Sequence, residues 1–337
     1  MDRRYVGIDL HRRRSVIYAM NAEGDKLFCE RIANEPMRLL EVVCAAGEGA
    51  EVVLEATYGW YWAVDLLREA GFSVHLAHPS GNDWGKRRVK NDERDARDLA
   101  DLLRLGRLAE AWIAPPAVRE ARELVRYRAR LVQLRSGLKA QVHAVMAKEG
   151  VLPGVSDMFG PKGQQLLDAM ELADAYLVRV ESLRDLIGVY DREVVVLERR
   201  IHERLRDDRG YQAIQALDGV GRTIAAIFVT EIGDIHRFHS PEALCSWAGL
   251  TPRHRESDTK VVRGKITKQG SKLVRWAALE AIVRYHGGPP LREHFHRVAE
   301  RRGTNKARIA VARRLMTLVY YGLRDGEIRC LEHRAAA

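Results

Sequence analysis

The chain has 337 residues, a formal net charge of +10 and 46% apolar residues, which predicts two or three domains and excludes a disordered chain. The positive balance favours polyanionic partners, nucleic acid ahead of a membrane surface. No apolar run of about 18 residues is present and no apolar signal core follows the basic start MDRRYVGIDLH, so neither a membrane span nor secretion is expected. The four cysteines, Cys29, Cys44, Cys245 and Cys330, form no CxxC pair. That argues against a zinc site or a disulfide framework and for a reducing cytoplasm.

In chain order, RYVGIDL, SVIYAM and KLFCERI are short β-rich runs separated by HRRR and the turn signal NAEGD. They predict consecutive antiparallel strands. EVVLEA reads as a further strand, GWYWAVDLLREAG as an amphipathic helix closed by Gly71, and FSVHLA as another strand. Three antiparallel strands followed by alternating helix and strand is the order of an α/β ribonuclease-H-like domain, expected over residues 1–115. Residues 116–210 turn helical. Leu124, Leu131, Leu138 and Val145 recur at seven-residue steps, and a second stretch from Gln164 to Leu205 carries Leu166, Leu183, Leu186 and Leu197. EGVLPGVSDMFGPKG between them is a Gly- and Pro-rich loop. The two stretches predict a helical hairpin or coiled-coil connection. It serves either as a bundle core or, given Arg119, Arg122, Arg126, Arg128, Arg130, Arg135 and Lys139, as a dimerisation arm or nucleic-acid clamp.

Residues 211–337 predict a mostly α domain. In LDGVGRTIAA, Gly219 and Gly221 form a tight turn before an apolar helix, with Arg222 beside them. This is either a helix-hairpin-helix-like phosphate contact or a plain turn between packed helices. Beyond it, Arg253, Arg255, Lys260, Arg263, Lys265, Lys268, Lys272 and Arg275 stand against only Glu256 and Asp258. Arg297, Arg301, Arg302, Lys306, Arg308, Arg313 and Arg314 follow. Such runs are ordinarily solvated faces; concentrated in one domain, they predict salt-dependent contact with DNA or RNA.

The acids are the unusual feature of a basic chain. In KRRVKNDERDARDLADLL the bases Lys86, Arg87, Arg88 and Lys90 precede Asp92, Glu93, Asp95, Asp98 and Asp101. On a helix, Ala96, Leu99, Ala100 and Leu103 make one apolar face. Asp92 shares that face and Asp95 borders it, while Asp98 and Asp101 turn toward solvent. Asp9 interrupts one apolar strand and Glu55 ends another. A carboxylate in an apolar strand is costly to bury without compensation. Asp9, Glu55, Asp92 and Asp95 meeting in one place would form an oxygen-ligand site for Mg²⁺ or Mn²⁺, able to work on a phosphodiester held by the neighbouring bases. Each acid taken alone also fits a cap or a rim residue.

Laid out in this order, the chain resembles the DEDD-type insertion-sequence transposases (the IS-one-ten family), which are bridge-RNA-guided DNA recombinases. The matching pieces are VGIDLH with Asp9, LEATYGW with Glu55, NDERDA with Asp92 and Asp95, and LCSWAGLTPRHRESDTKVVRGKITKQGSKLVRWAALEA. The resemblance implies a RuvC-like N-terminal domain, a helical connection and a C-terminal domain with a catalytic serine. It implies that Asp9, Glu55, Asp92 and Asp95 bind metal and that Ser257 is the nucleophile, the acids and serine meeting between subunits. It further implies a homo-oligomer, dimer to tetramer, on donor and target DNA, a structured guide RNA and a cytoplasmic, nucleoid-associated prokaryotic setting. Two residues depart from the family pattern. Asp258 stands where Gly commonly follows the serine, and Asn91 where Thr commonly precedes the third acid.

Taken alone, Ser257 is an ordinary loop serine, and a hydroxyl needs a base or a metal before it attacks. The leading expectation is therefore a metal-assisted serine recombinase. The alternatives are a RuvC-like nuclease using water, with Ser257 structural, and a non-catalytic nucleic-acid-binding protein.

Overall fold

The computed structural model describes residues 3–79, 81, 91–151, 154–258, 260–285 and 289–330, without the side chains of 260, 261, 263, 289 and 290. The chain divides into two units, Met1–Ala114 and Pro115–Ala337.

The first unit is built on a five-stranded sheet of β1 (Tyr5–Leu10), β2 (Arg14–Met20), β3 (Lys26–Ala33), β4 (Glu51–Glu55) and β5 (Ser73–Ala77), in the order β3-β2-β1-β4-β5. The first three strands are antiparallel, as their spacing predicts, while β4 runs parallel to β1 and β5 parallel to β4. Among the described residues three helices complete it: α1 (Pro36–Cys44), α2 (Tyr61–Glu69) and α3 (Asp92–Arg104). Helix α1 has no counterpart among the predicted elements. Pro36 in its first turn and buried Leu39, Val42 and Val43 at helical spacing are what specify it.

Strand alternation sorts the two sheet faces. Val6, Ile8, Ile17, Val52 and Leu54 pack with α1 and α2. Tyr5, Val16, Tyr18, Met20 and Val53 pack with Ala96, Leu99, Ala100 and Leu103 of α3. Gly7 points toward α3. A Cβ there would stand 1.9 Å from the Ala96 carbonyl oxygen, so the helix lies on the strand at a distance only glycine permits.

In the second unit, α4 (Pro116–Lys148) and α6 (Asp174–Leu205) form an antiparallel hairpin. The partners Glu120–Arg204, Arg128–Glu198, Arg135–Asp191 and Gln141–Arg179 run in opposite numerical order along the two helices. The predicted seven-residue stripe faces the partner helix. Leu131 packs with Val194 and Leu197, and Val145 with Val180 and Leu183. Two expectations change. Gln164–Leu205 is not continuous: α5 (Pro161–Asp168) ends before α6 begins, because Leu167 folds back with Met158 onto the core at the hairpin tip. Leu186 is 45% exposed, and Ile187, four residues after Leu183, takes the core position.

The rest of this unit comprises α7 (Arg209–Ile214), α8 (Arg222–Ile232), α9 (Pro241–Trp247), β6 (Pro252–Ser257), β7 (Lys260–Ile266), α10 (Lys272–Val283), α11 (Pro289–Arg302) and α12 (Thr304–Asp325). Tyr211, Phe228, Leu244, Val274, Met316 and Val319 are among the side chains that build its core. The antiparallel β6–β7 hairpin accompanies the helices of this mostly α part. Arg126 of α4 pairs with Glu231 of α8 at 2.6 Å, and Glu231 is 3% exposed. Among the described residues no helix is long and apolar enough to cross a membrane.

Candidate functional site

The sheet register carries the acids to one face. Gly7 and Val53 lie on the α3 face and pair with each other across parallel strands. Asp9 and Glu55, each two residues further on, therefore share that face at the C-terminal ends of adjacent strands. The N-terminus of α3 arrives over the same place. Asn91 caps it, its side chain accepting the Glu93 N–H at 3.1 Å. Thr and Asn are both good N-caps, so the departure at this position preserves the helix start. The first turn then presents Asp92, Glu93 and Asp95, where the helix dipole favours negative charge.

Within this site the Asp9 Oδ2 is 3.0 Å from His11 Nε2, which is 3.8 Å from Asp92 Oδ1. One ligand atom from each of the three lies within 4.8 Å of the others. Two ligands about 2.1 Å from one ion are ~3.0 Å apart when adjacent and ~4.2 Å when opposite. The donor set therefore fits a single divalent cation with small side-chain adjustments. Burial pushes the Asp9 carboxyl above its ordinary range; His11 pulls it down, and the negative charges of Asp92 and Asp95 push it up again.

Two guanidiniums border it. Arg14 and Arg31 each place Nη2 3.6 Å from Asp92 Oδ2. Asp9, Val16 and Arg31 form one cross-strand row, with Arg14 two residues before Val16. Glu93 is engaged elsewhere, with Lys26 at 2.8 Å. Asp101 is 43% exposed and pairs with Arg104. Asp98, expected in solvent, is 13% exposed and lies 3.3 Å from its neighbour Arg97. The basic segment Lys86, Arg87, Arg88 and Lys90 lies outside the described residues. His11, Arg14 and Arg31 join the site without having been among the predicted site residues. Their signal is strand position: His11 follows Asp9 by two residues, and the arginines lie on the same face.

In the second unit, Ser257 ends β6 and pairs with Lys260 of β7. It is exposed at the tip of the hairpin. Asp258, the next residue, has φ 51°, the left-handed region that glycine adopts most readily and Asp tolerates. This explains why Gly fits that position and how Asp258 replaces it. Arg253, Lys265, Lys268 and Lys272 are exposed around the hairpin and the turn after it, whereas the side chains of Lys260 and Arg263 lie outside the described ones. Arg275 has a structural engagement: its Nη1 donates to the carbonyls of Ala248, Gln269 and Gly270 and ties the turn down. Arg301 and Arg302 are exposed at the end of α11.

Gly219 has φ 79°, and a Cβ there would stand 2.2 Å from the Ala281 carbonyl oxygen, so both its conformation and its packing require glycine. Gly221 caps α8 with no side-chain acceptor on the helix N-terminus. Arg222 and Thr223 there line a cavity of about 310 Å³ together with Arg128, Arg199, His202 and Tyr211.

Comparison with known proteins gives two family matches, a DEDD-class profile described as a transposase over residues 6–149 and one described as Transposase IS116/IS110/IS902 family over residues 211–299. The chain is 31% identical over 255 residues to the y4qE protein of Sinorhizobium fredii, covering 75% of this chain and 63% of that protein. It is 24% identical to the transposase for insertion sequence element IS1111A of Coxiella burnetii, covering 98% of this chain and 92% of the relative. It is 23% identical to the transposase for insertion sequence element IS1328 of Yersinia enterocolitica, covering 80% of each.

Proposed function

This chain belongs to the IS116/IS110/IS902 family of transposases, and from that premise we propose that it recombines DNA through a covalent phosphoserine intermediate. The observation that carries the reading is the Asp9–His11–Asp92 cluster, on the sheet face that also receives Glu55. The sheet order β3-β2-β1-β4-β5 supports taking the first unit as RuvC-like.

Asp9, Glu55, Asp92 and Asp95 hold Mg²⁺ or Mn²⁺, and a bound divalent cation supplies positive charge against the charge that develops on the phosphate. Arg14 and Arg31 orient a non-bridging oxygen. Ser257 Oγ forms a bond to phosphorus as the phosphodiester P–O bond to the leaving strand breaks. The serine proton is lost to the medium, and the leaving oxygen takes one up. Reversal of the step with the hydroxyl of a second strand rejoins DNA without net hydrolysis. Exposed Arg253, Lys265, Lys268 and Lys272, together with Gly219, Gly221 and Arg222 at the α8 N-terminus and Arg301 and Arg302, hold nucleic-acid backbone. Lys260 and Arg263 belong to the same strip by sequence, and Arg275 supports it from beneath. Donor and target DNA, a structured guide RNA and a homo-oligomer, dimer to tetramer, complete the proposal, as the family resemblance implies.

The test is covalent capture. The chain is expressed with its native flanking DNA, labelled target is added with Mg²⁺, and wild type, Asp9→Ala and Ser257→Ala are compared on a denaturing gel. The proposal expects an adduct in wild type that disappears in both variants and with EDTA. Cleavage without adduct, unchanged by Ser257→Ala, would instead establish a metal-dependent nuclease. Binding with no cleavage under any condition would leave a nucleic-acid-binding protein.

A further inference from the structure

Building on the metal-site reading above, we propose that His11 is itself a ligand of the cation, so that the centre is a mixed nitrogen–oxygen set favouring Mn²⁺ or Co²⁺ over Mg²⁺. Three observations point there. The first is distance. His11 Nε2 lies 3.0 Å from Asp9 Oδ2 and 3.8 Å from Asp92 Oδ1, close to the ~3.0 and ~4.2 Å separations that adjacent and opposite ligands of one ion adopt.

The second is the way its backbone is held. His11 sits in the turn between β1 and β2, and its N–H donates to the Arg14 carbonyl at 3.1 Å. Its own carbonyl accepts Asn34 Nδ2 at 2.5 Å. Asn34 Oδ1 in turn accepts Ser15 Oγ at 2.6 Å, and Ser15 is fully buried. A buried hydroxyl thus fixes, through one amide, the backbone that carries the imidazole.

The third concerns charge. If His11 served only to neutralise Asp92, it would duplicate Arg14 and Arg31, both already 3.6 Å from that carboxylate. A neutral imidazole lone pair is the function neither arginine can supply. Nitrogen ligands move a site away from Mg²⁺, which prefers oxygen, toward transition-metal ions. The ring remains 52% exposed, leaving room on the metal for water and a phosphate oxygen.

The experiment uses the untagged full-length chain. Mn²⁺ is titrated and followed by EPR of the free ion, the bound ion is examined by pulsed EPR for nitrogen modulation, and Mg²⁺ affinity is taken from competition. Wild type is expected to show nitrogen modulation. His11→Ala and His11→Gln, checked for unchanged circular dichroism, should lose it. Their Mn²⁺ affinity should fall by at least ~10-fold, a loss typical even of a supporting partner, while Mg²⁺ affinity changes less than about 3-fold. Bound Mn²⁺ without nitrogen modulation in wild type would overturn the His11 assignment and leave the carboxylate site standing. So would variants that keep the wild-type Mn²⁺ to Mg²⁺ preference. Absence of Mn²⁺ binding in wild type would overturn both.

Discussion

Replacing Gly7 with Ala tests whether the close seating of α3 on β1 builds the acidic site. The added methyl would lie 1.9 Å from the Ala96 carbonyl oxygen and 2.8 Å from the Ala100 nitrogen, both backbone atoms. Ordinary contact begins near 3.4 Å, so α3 must withdraw by about 1.5 Å. Overpacking of this kind costs about 1–3 kcal/mol. In a unit of this size each kcal/mol is worth about 4 °C in melting temperature, which predicts a fall of roughly 4–12 °C. The displacement carries Asp92 and Asp95 with the helix while Asp9 stays on the strand. The 3.8 Å spacing from His11 to Asp92 then opens past the ~4.2 Å that one ion can span. Mn²⁺ affinity should therefore drop by at least ~10-fold, measured by EPR titration beside a thermal melt. Gly137→Ala is the control, a helical position with nothing within 4 Å of the new Cβ, expected to be neutral or slightly stabilising. If Gly7→Ala melts within 1 °C of wild type and binds Mn²⁺ equally well, the helix seating does not set the site geometry.

Further outcomes follow from the same contacts. Asn91→Ala removes the α3 cap, worth about 1 kcal/mol, and should weaken Mn²⁺ binding through fraying of the first turn, whereas Asn91→Thr should retain it; paired titrations decide. The double variant Arg14→Ala/Arg31→Ala removes two cations 3.6 Å from Asp92 and should tighten Mn²⁺ several-fold while weakening DNA binding in a gel-shift assay. Burial pushes the Glu231 carboxyl up, but the bonds and charge of Arg126, with Ser271 and Arg122, bring it below its ordinary value. A lowered carboxyl contributes stability above the unfolded pKa of about 4.3, and that contribution is lost as pH falls through the folded value. Arg126→Ala should cost about 2 kcal/mol at pH 7, below the full cost of breaking a buried pair because Arg126 is half exposed; pH-dependent melts should show the difference from wild type shrinking below pH 4. Lys265→Gln and Lys272→Gln should each reduce the salt slope of nucleic-acid binding by about 0.9, read from affinities at several salt concentrations.

Much of the first unit was legible because its signals are local. Turn residues between β-rich runs specify an antiparallel meander, and the period of α3 separates the face carrying Asp92 from the rest. The heptad stripe from Leu124 to Val145 likewise specifies a hairpin. What the sequence left open was whatever depends on register between distant segments. Only the pairing of Gly7 with Val53 puts Asp9 and Glu55 side by side. Only the lack of a side chain at Gly7 lets the start of α3 come down over them. Arg14, Arg31 and His11 read along the chain as parts of a basic turn and a polar strand; strand pairing is what aims them at one carboxylate. The same holds for Arg275, which in sequence is one base in a basic run and in the folded chain is bound to three carbonyls. Composition and periodicity determine which elements form and which face each buries, because those are one-dimensional patterns. Which charges meet is decided by tertiary structure, because an ion pair or a metal site depends on distances of a few ångströms between residues tens of positions apart.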